Sequence, residues 1–366
     1  MKTIVKSRQQ TEIKTNASIL VETLVNLGVE SIFGYPGAAV LSIYNELSYS
    51  NKISHYLVRH EQAAVHAAEG YARTSGNVGV VLVTSGPGFT NTITGIANAF
   101  TDSTPLVILA GDTPTTERKG KVFQSVDIVS MVESCVKKVY KLSKNDDIKK
   151  VLEDAFYIAN DGVKGPVVIA LPRNILEAEY KSRHFNIIEN DIKTKDYSNA
   201  ITKLNKLLLN SKKPLILVGS GATNASCEIK EFIRKYNLPL VSTLMGIGIY
   251  PSEEDLYMGM VGINGTHCAN TILNNCDLLI AFGTAFSDRS TCKKDNFGSN
   301  TKIVSVNLNL ISDSFELQIK ADVKDFIKQF LAQKQEYKVE AEWLKQVRAI
   351  KSEFKADENC LLCPKT

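Results

Sequence analysis

The residues best suited to chemistry lie between Leu57 and Asn91, in LVRHEQAAVHAAEGYARTSGNVGVVLVTSGPGFTN. An apolar strand ends in Arg59-His60, and Glu61 follows where the pattern turns helical. The helix predicted from Glu61 carries small residues on one side, Ala63, Ala64, Ala67, Ala68 and Ala72, which lets another surface approach its backbone. A strand of Val and Leu comes next, then Ser85-Gly86-Pro87-Gly88, and Thr90-Asn91 opens a further helix. A single carboxyl group at a strand-to-helix corner, facing a Gly-Pro-Gly turn, suits acid–base work on a ligand in close backbone contact. The simpler account of Glu61 is electrostatic, because a helix dipole favours a negative charge in the first turn.

The elements that must position these residues repeat one layout. Asn16 is placed to cap a helix through Asn26, with Ile19, Leu20, Leu24 and Val25 at helical spacing and Gly28 closing it. A strand over Val29–Phe33 leads into Gly34-Tyr35-Pro36-Gly37, and a helix over Ala39–Leu47 follows. Further along, Gly95–Phe100 reads as helix and Pro105–Ala110 as strand. Gly111-Asp112-Thr113-Pro114 then opens a loop reaching Phe123-Gln124, before a helix over Leu152–Asn160 and a buried strand over Gly165–Pro172. Strand, glycine turn and helix in repetition predict an α/β sheet whose crevice lies at the carboxyl ends of its strands.

A charged stretch without periodicity, Glu177–Tyr197, reads as a linker, which places a first domain at 1–180, the linker at 181–197 and a second domain at 198–335. The second domain restarts with a helix carrying Ile201, Leu204, Leu207 and Leu208, then the strand Pro214–Val218 and Gly219-Ser220-Gly221 before another helix. That G-x-G can hold a diphosphate or serve as a packing turn. Amphipathic helices are predicted over Val323–Leu331 and Glu340–Phe354. The stripe Trp343, Val347 and Ile350 reads as core within a tail over 336–366. The fold class expected is α/β, with two doubly wound, mainly parallel sheets.

Composition narrows the function class. With 366 residues, 44% hydrophobic, 22% charged and a formal net charge of +4, the chain reads as an ordinary globular protein. That charge gives no reason to invoke nucleic acid or a membrane surface. Seven scattered cysteines read as reduced thiols of a cytoplasmic protein. Cys360 and Cys363 form one C-x-x-C without the second pair or histidines a zinc site needs. The sequence has no 18-residue apolar run and no signal-peptide pattern over Met1–Asn16, so neither insertion nor export is expected.

Four blocks carry a family resemblance: Phe33-Gly-Tyr-Pro-Gly-Ala-Ala-Val40, Val58-Arg-His-Glu-Gln62, Ala67-Ala-Glu-Gly-Tyr-Ala-Arg73, and Val83-Thr-Ser-Gly-Pro-Gly88 with Thr90-Asn91. Their order and spacing resemble the thiamine-diphosphate-dependent enzymes, and within them the catalytic subunits of acetolactate (acetohydroxyacid) synthase. The resemblance implies that Glu61 hydrogen-bonds the cofactor's aminopyrimidine ring and favours its imino tautomer by sharing a proton with a ring nitrogen. The cofactor then supplies the nucleophilic carbon and the electron sink. By the same resemblance Tyr35, Pro36, Gly37, Thr84, Gly86, Pro87 and Asn91 shape the pyrimidine pocket, while Phe123, Gln124 and Lys137 face substrate. Lys137 reads equally well as a solvated strand end.

In the second domain, Val241-Ser-Thr-Leu-Met-Gly-Ile-Gly248 and Gly262-Ile-Asn-Gly-Thr266 resemble blocks that hold FAD in those synthases. The implied contacts are Gly219, Gly221, Thr243, Leu244, Met245, Gly262, Gly283, Asp288 and Arg289. The sequence departs from the pattern at Ala285, where the family carries arginine, and at Asn264, where it carries histidine. Asn307 and Asn309 stand in for an acidic pair suited to ribose hydroxyls. FAD, or a vestigial or different nucleotide site, is therefore expected. In the first domain Asp112 replaces a glutamine and Ser125 a glutamate, which brings other members of the superfamily into view.

The resemblance also implies a third domain, whose Gly-Asp-Gly and later asparagine hold magnesium on the diphosphate. No Gly-Asp-Gly occurs in these 366 residues. The expectation is thus a pyrimidine-binding half, with Mg2+ held only through an absent domain or a partner chain. The missing part is a separate polypeptide, removed by truncation, or lost. The function expected is decarboxylation of pyruvate and transfer of its two-carbon unit to a 2-keto acid, in branched-chain amino-acid biosynthesis, by a homo-oligomer (dimer or tetramer). Another thiamine-diphosphate lyase or decarboxylase, and a non-catalytic interaction protein, are the alternatives.

Overall fold

A computed structural model describes residues 14–117, 122–182, 195–291, 301–333 and 337–353. The Cys360/Cys363 pair lies outside the described residues. The chain divides into two compact units, Met1–Asp191 and Ile192–Thr366. No helix among the described residues is long and apolar enough to cross a membrane.

The first unit is built on β1 (Ser31–Gly34), β2 (Ser54–Leu57), β3 (Gly79–Val83), β4 (Leu106–Asp112), β5 (Lys138–Lys141) and β6 (Pro166–Pro172). They form one six-stranded sheet in the order β2-β1-β3-β4-β6-β5, and every pairing is parallel. Between the strands run α1 (Asn16–Asn26), α2 (Leu41–Tyr49), α3 (Glu61–Ser75), the single turn α4 (Pro87–Thr90), α5 (Ile93–Thr101), α6 (Ile128–Val132), α7 (Ile148–Asn160) and α8 (Arg173–Leu176).

Strands β3, β4 and β6 are buried at every residue, as expected where helices cover both faces of a parallel sheet. Alternation then divides the core. Val80, Leu82, Val107 and Leu109 pack with α1, α2 and α7, whereas Val81, Val83, Ile108 and Ala110 pack with α3 and α5. From β1 the chain moves outward to β2, and from β3 it moves the other way to β4. The strand order therefore reverses between β1 and β3, the position where such sheets open a binding crevice.

Two local expectations are corrected. Thr15, not Asn16, caps α1: its Oγ1 accepts from the Ser18 N–H at 3.2 Å. Asn16 is already inside the helix, and its amide donates to the Ile175 carbonyl at 2.9 Å. On α3 the buried stripe is Glu61, Ala64, Val65, Ala68, Glu69 and Ala72, while Ala63 is exposed. Helical periodicity puts residues three and four apart on one face, so neighbouring alanines cannot all share it.

The second unit has β7 (Pro214–Val218), β8 (Leu240–Ser242), β9 (Tyr257–Met260), β10 (Leu278–Phe282), β11 (Lys302–Asn307) and β12 (Leu317–Lys320). Their order is β12-β11-β10-β7-β8-β9, again parallel throughout, with the reversal between β7 and β10. Its helices are α9 (Ser198–Asn210), α10 (Ser226–Tyr236), α11 (His267–Asn275), α12 (Asp288–Thr291), α13 (Val323–Ala332) and α14 (Ala341–Glu353). Phe232 and Tyr236 of α10 pack edge to face on Phe330 of α13. The stripe on α14 is core as expected: Trp343 and Val347 are buried, and the indole N–H donates to the Pro214 carbonyl at 3.0 Å. Both sheets bear out the doubly wound α/β class.

Candidate active site

Glu61 reaches its corner because β2 ends at Leu57 and His60 caps α3, its Nδ1 accepting from the Gln62 N–H at 3.2 Å. The Glu61 side chain turns inward and the residue is only 9% exposed. Its Oε2 accepts from Asn91 Nδ2 at 2.8 Å. Oε1 has no hydrogen-bond partner among the described residues. It faces Gly88, where an added Cβ would stand 3.3 Å from Oε1 and 2.7 Å from Thr84 Cγ2.

Three glycines hold this corner open. A Cβ on Gly37 would fall 2.4 Å from the Thr84 side chain, and one on Gly86 (φ +60°) would fall 2.6 Å from the Gln124 carbonyl. The Gly34–Gly37 loop is tied to the next strand by the Tyr35 N–H, which donates to the Leu82 carbonyl at 3.1 Å. Tyr35, Pro36 and Pro87 are exposed at the mouth. The sequence-predicted residues Tyr35, Pro36, Gly37, Glu61, Thr84, Gly86, Pro87 and Asn91 thus converge on the reversal point of the sheet.

Phe123 and Gln124 come to the same corner. Gln124 packs its backbone on Gly86 with φ +56°, and the Phe123 side chain is 84% exposed beside it. Asp112 is buried at the end of β4, where Oδ1 accepts from the Thr113 N–H at 2.8 Å. Thr113 Oγ1 in turn lies 3.4 Å from Ser125 Oγ, so Asp112 and Ser125 belong to one small network. Sequence reading noted these two positions separately and missed the link, which only the loop's path creates.

Lys137 is not brought to the site, which corrects its expected substrate role. It precedes β5 at the amino edge of the sheet, opposite the crevice. Its ammonium donates to the carbonyls of Ile158 and, at 2.6 Å, Asp161, closing the end of α7. Burial holds its pKa below the usual lysine range. Behind the Gly34 backbone, Tyr44 OH lies 2.9 Å from His55 Nε2. Burial lowers the His55 pKa and raises that of Tyr44.

In the second unit Gly219, Gly221, Thr243, Leu244, Met245, Gly262, Gly283, Asp288 and Arg289 all lie at the carboxyl edge of the sheet. The Gly219 and Gly221 N–H groups donate to Phe282 and Gly283 carbonyls, each at 2.9 Å, and a Cβ on Gly283 would sit 2.4 Å from the Gly221 carbonyl carbon. The G-x-G is therefore a backbone packing joint, with its second amide already spent. Gly262 (φ +113°) is locked by Asn270, which takes its N–H at 3.0 Å and donates to its carbonyl at 2.9 Å.

Asn307, where an acid would serve a ribose, uses both side-chain atoms on backbone. Oδ1 accepts from the Leu308 N–H at 2.8 Å and Nδ2 donates to the Thr284 carbonyl at 2.9 Å. Ala285 is exposed and offers no charge for a diphosphate. These residues do not fit the ribose and diphosphate of FAD. By contrast the first unit fits an aminopyrimidine: a half-satisfied buried carboxylate faces a cradle that one Cβ would fill. Among the described residues no group of three or more His, Cys, Asp or Glu is placed to hold a metal ion.

Comparison with known proteins matches a separate domain model to each unit. Residues 14–131 match the family model described as "Thiamine pyrophosphate enzyme, N-terminal TPP binding domain", and residues 201–330 match "Thiamine pyrophosphate enzyme, central domain". The acetolactate synthase large subunit of Haemophilus influenzae is 39% identical over 328 residues, covering 87% of this chain and 57% of that protein. The acetolactate synthase isozyme 3 large subunit of Escherichia coli is 39% identical over 331 residues, covering 87% of this chain and 58% of its own length. The chloroplastic acetolactate synthase of Arabidopsis thaliana is 39% identical over 302 residues, 81% of this chain and 45% of that protein. The chain thus spans less than three fifths of the length of these relatives. It belongs to the thiamine pyrophosphate enzymes, carrying their N-terminal and central domains, with acetolactate synthase large subunits among its relatives.

Proposed function

We propose that this chain supplies the pyrimidine-binding half of an acetolactate-synthase-type carboligase, which decarboxylates pyruvate and transfers the two-carbon unit to a 2-keto acid. The observation that carries this reading is the Glu61 carboxylate, bonded through Oε2 to Asn91 and left free at Oε1 toward the Gly88 cradle. Bound thiamine diphosphate supplies the nucleophilic carbon and the electron sink for decarboxylation. Asn91 fixes the rotation of the Glu61 carboxyl, so Oε1 is the oxygen that exchanges a proton with a ring nitrogen. Gly37, Gly86 and Gly88 keep side chains out of the space a flat ring needs. Phe123 and Gln124, held against Gly86, stand on the side where a keto acid enters. Burial around Glu61 limits water at the proton-transfer step.

The magnesium ligands and diphosphate contacts come from residues outside this sequence, within a homo-oligomer in the cytoplasm, and the second unit acts without a bound flavin. A second reading, another thiamine-diphosphate lyase or decarboxylase, is favoured by the Asp112–Thr113–Ser125 network, which gives the substrate side a different set of polar groups.

Calorimetric titration with thiamine diphosphate and magnesium tests the proposal. It is run on the chain and its Glu61→Gln variant, alone and mixed with a polypeptide carrying Gly-Asp-Gly, with pyruvate consumption followed in parallel. The expected result is turnover only in the mixture and only with Glu61. Turnover that survives Glu61→Gln would remove the proposed role.

A further inference from the structure

A second carboxylate on α3 plays no part in the site described above. Glu69 lies two turns beyond Glu61 on the same buried stripe and is 4% exposed. Its Oε1 accepts from Asn98 Nδ2 at 2.8 Å, and its Oε2 lies 2.7 Å from His66 Nδ1. Arg73 brings a guanidinium nitrogen within 3.6 Å of Oε1, while bonding Asp102 at 2.7 Å and Thr104 at 3.3 Å. Asn98 belongs to α5, the helix that continues from α4 just beyond Asn91.

Between the two glutamates, Val65 packs on Gly95 so tightly that a Cβ on Gly95 would lie 2.6 Å from Val65 Cβ. Three contacts therefore run in order along α3: Glu61 with Asn91 in the turn just before α5, then Val65 with Gly95 and Glu69 with Asn98 on α5. Steps of four keep the first set on one face of α3, and the step of three keeps Gly95 and Asn98 on one face of α5. Packing alone does not call for a carboxylate at Glu69, since an apolar side chain avoids the cost of burying charge. What a Glu–Asn pair adds is directionality, because it fixes how far one helix slides along the other.

We propose that the Glu69–Asn98 bond, with the Val65–Gly95 contact, sets the register of α3 on α5 and thereby holds the Glu61 carboxyl against Asn91. Glu69 is a positioning residue, and the Arg73 guanidinium lies beside its charge. Only the importance of a well-placed Glu61 rests on the function proposed above. The register itself does not.

The test uses the full chain and reads the Asn91 side-chain amide by 15N NMR, assigned by its loss in Asn91→Ser. In Asn98→Ala and Glu69→Leu this signal moves toward that of a solvated asparagine, and its hydrogen exchange becomes about tenfold faster as the contact opens locally. Glu69→Gln, which still accepts from Asn98, recovers most of the wild-type signal. Val167→Ala, a core truncation on the opposite face of the sheet, leaves the Asn91 signal in place while lowering stability. An unmoved Asn91 amide in folded Asn98→Ala overturns the proposal, and so does an equal movement in Val167→Ala. Added thiamine diphosphate separates the two ideas. If Asn91 responds to the ladder variants but not to that ligand with magnesium and the Gly-Asp-Gly polypeptide present, the ladder stands and the reading of Glu61 falls.

Discussion

Glu61 is fixed through Oε2 by Asn91 while Oε1 is left toward the Gly88 cradle, so replacing the carboxyl by an amide separates stability from activity. Glu61→Gln keeps the side-chain length and still presents an oxygen to Asn91. The variant is expected to fold with unchanged or slightly higher melting temperature. Its turnover, measured in the assembled enzyme, falls by about 10²- to 10⁴-fold, the usual contribution of a positioned proton-transfer group. Equal turnover in the two proteins would deny Glu61 that role. Glu61 and the Gly-Pro-Gly turn were legible in the sequence because a carboxyl and glycines at a strand end have few other reasons to recur together. Glu69 was not, since a glutamate among alanines reads as the solvated side of a helix until α5 covers it. Lys137 failed for a related reason: its charge looks the same in sequence whether it meets a ligand, solvent or the end of α7.

Elements were legible in proportion to their burial. Strands β3, β4, β6 and β7 are apolar runs because helices cover both faces, and such runs announce themselves, although the equally buried β10 went unread. Strands β5, β9 and β12 went unread: KVYK, YMGM and LQIK sit at sheet edges or ends, where half-exposed residues dilute the pattern. The edge strand β2 carries a further consequence through His55. Burial lowers the folded His55 pKa below its ordinary value of 6.5, and Tyr44 OH is bonded to the ring. A base with a depressed folded pKa binds more protons when unfolded, so stability rises with pH across the interval between the two values. The contribution is whole above 6.5 and is lost as pH falls through and below it. Urea midpoints at about pH 8 and about pH 5 should therefore differ less in His55→Asn than in the wild-type chain. An unchanged difference would show that other groups carry the acid sensitivity.

At the scale of the whole molecule, two units with the same doubly wound plan have diverged in what their reversal points hold open. In the first, Gly37, Gly86 and Gly88 leave room beside a free carboxylate oxygen. In the second, Gly219, Gly221 and Gly283 close on one another, and Asn307 spends both side-chain atoms on backbone. A shared fold therefore does not imply a shared capacity for ligands. The prediction that follows is specific: the purified chain carries no flavin absorption, and added FAD leaves its melting temperature unchanged. A ligand that bound the native chain at a hundred times its Kd would stabilise it by about 2.7 kcal/mol, enough to move the transition by a few degrees. Such a shift would show that the crevice opens to the dinucleotide despite the spent amide and the missing charges. Ala285→Arg sharpens the comparison. It restores a cation beside the Gly283 turn without touching the packing joint, so a shift seen only in this variant would place the lost affinity in charge, whereas none in either protein would place it in the closed backbone.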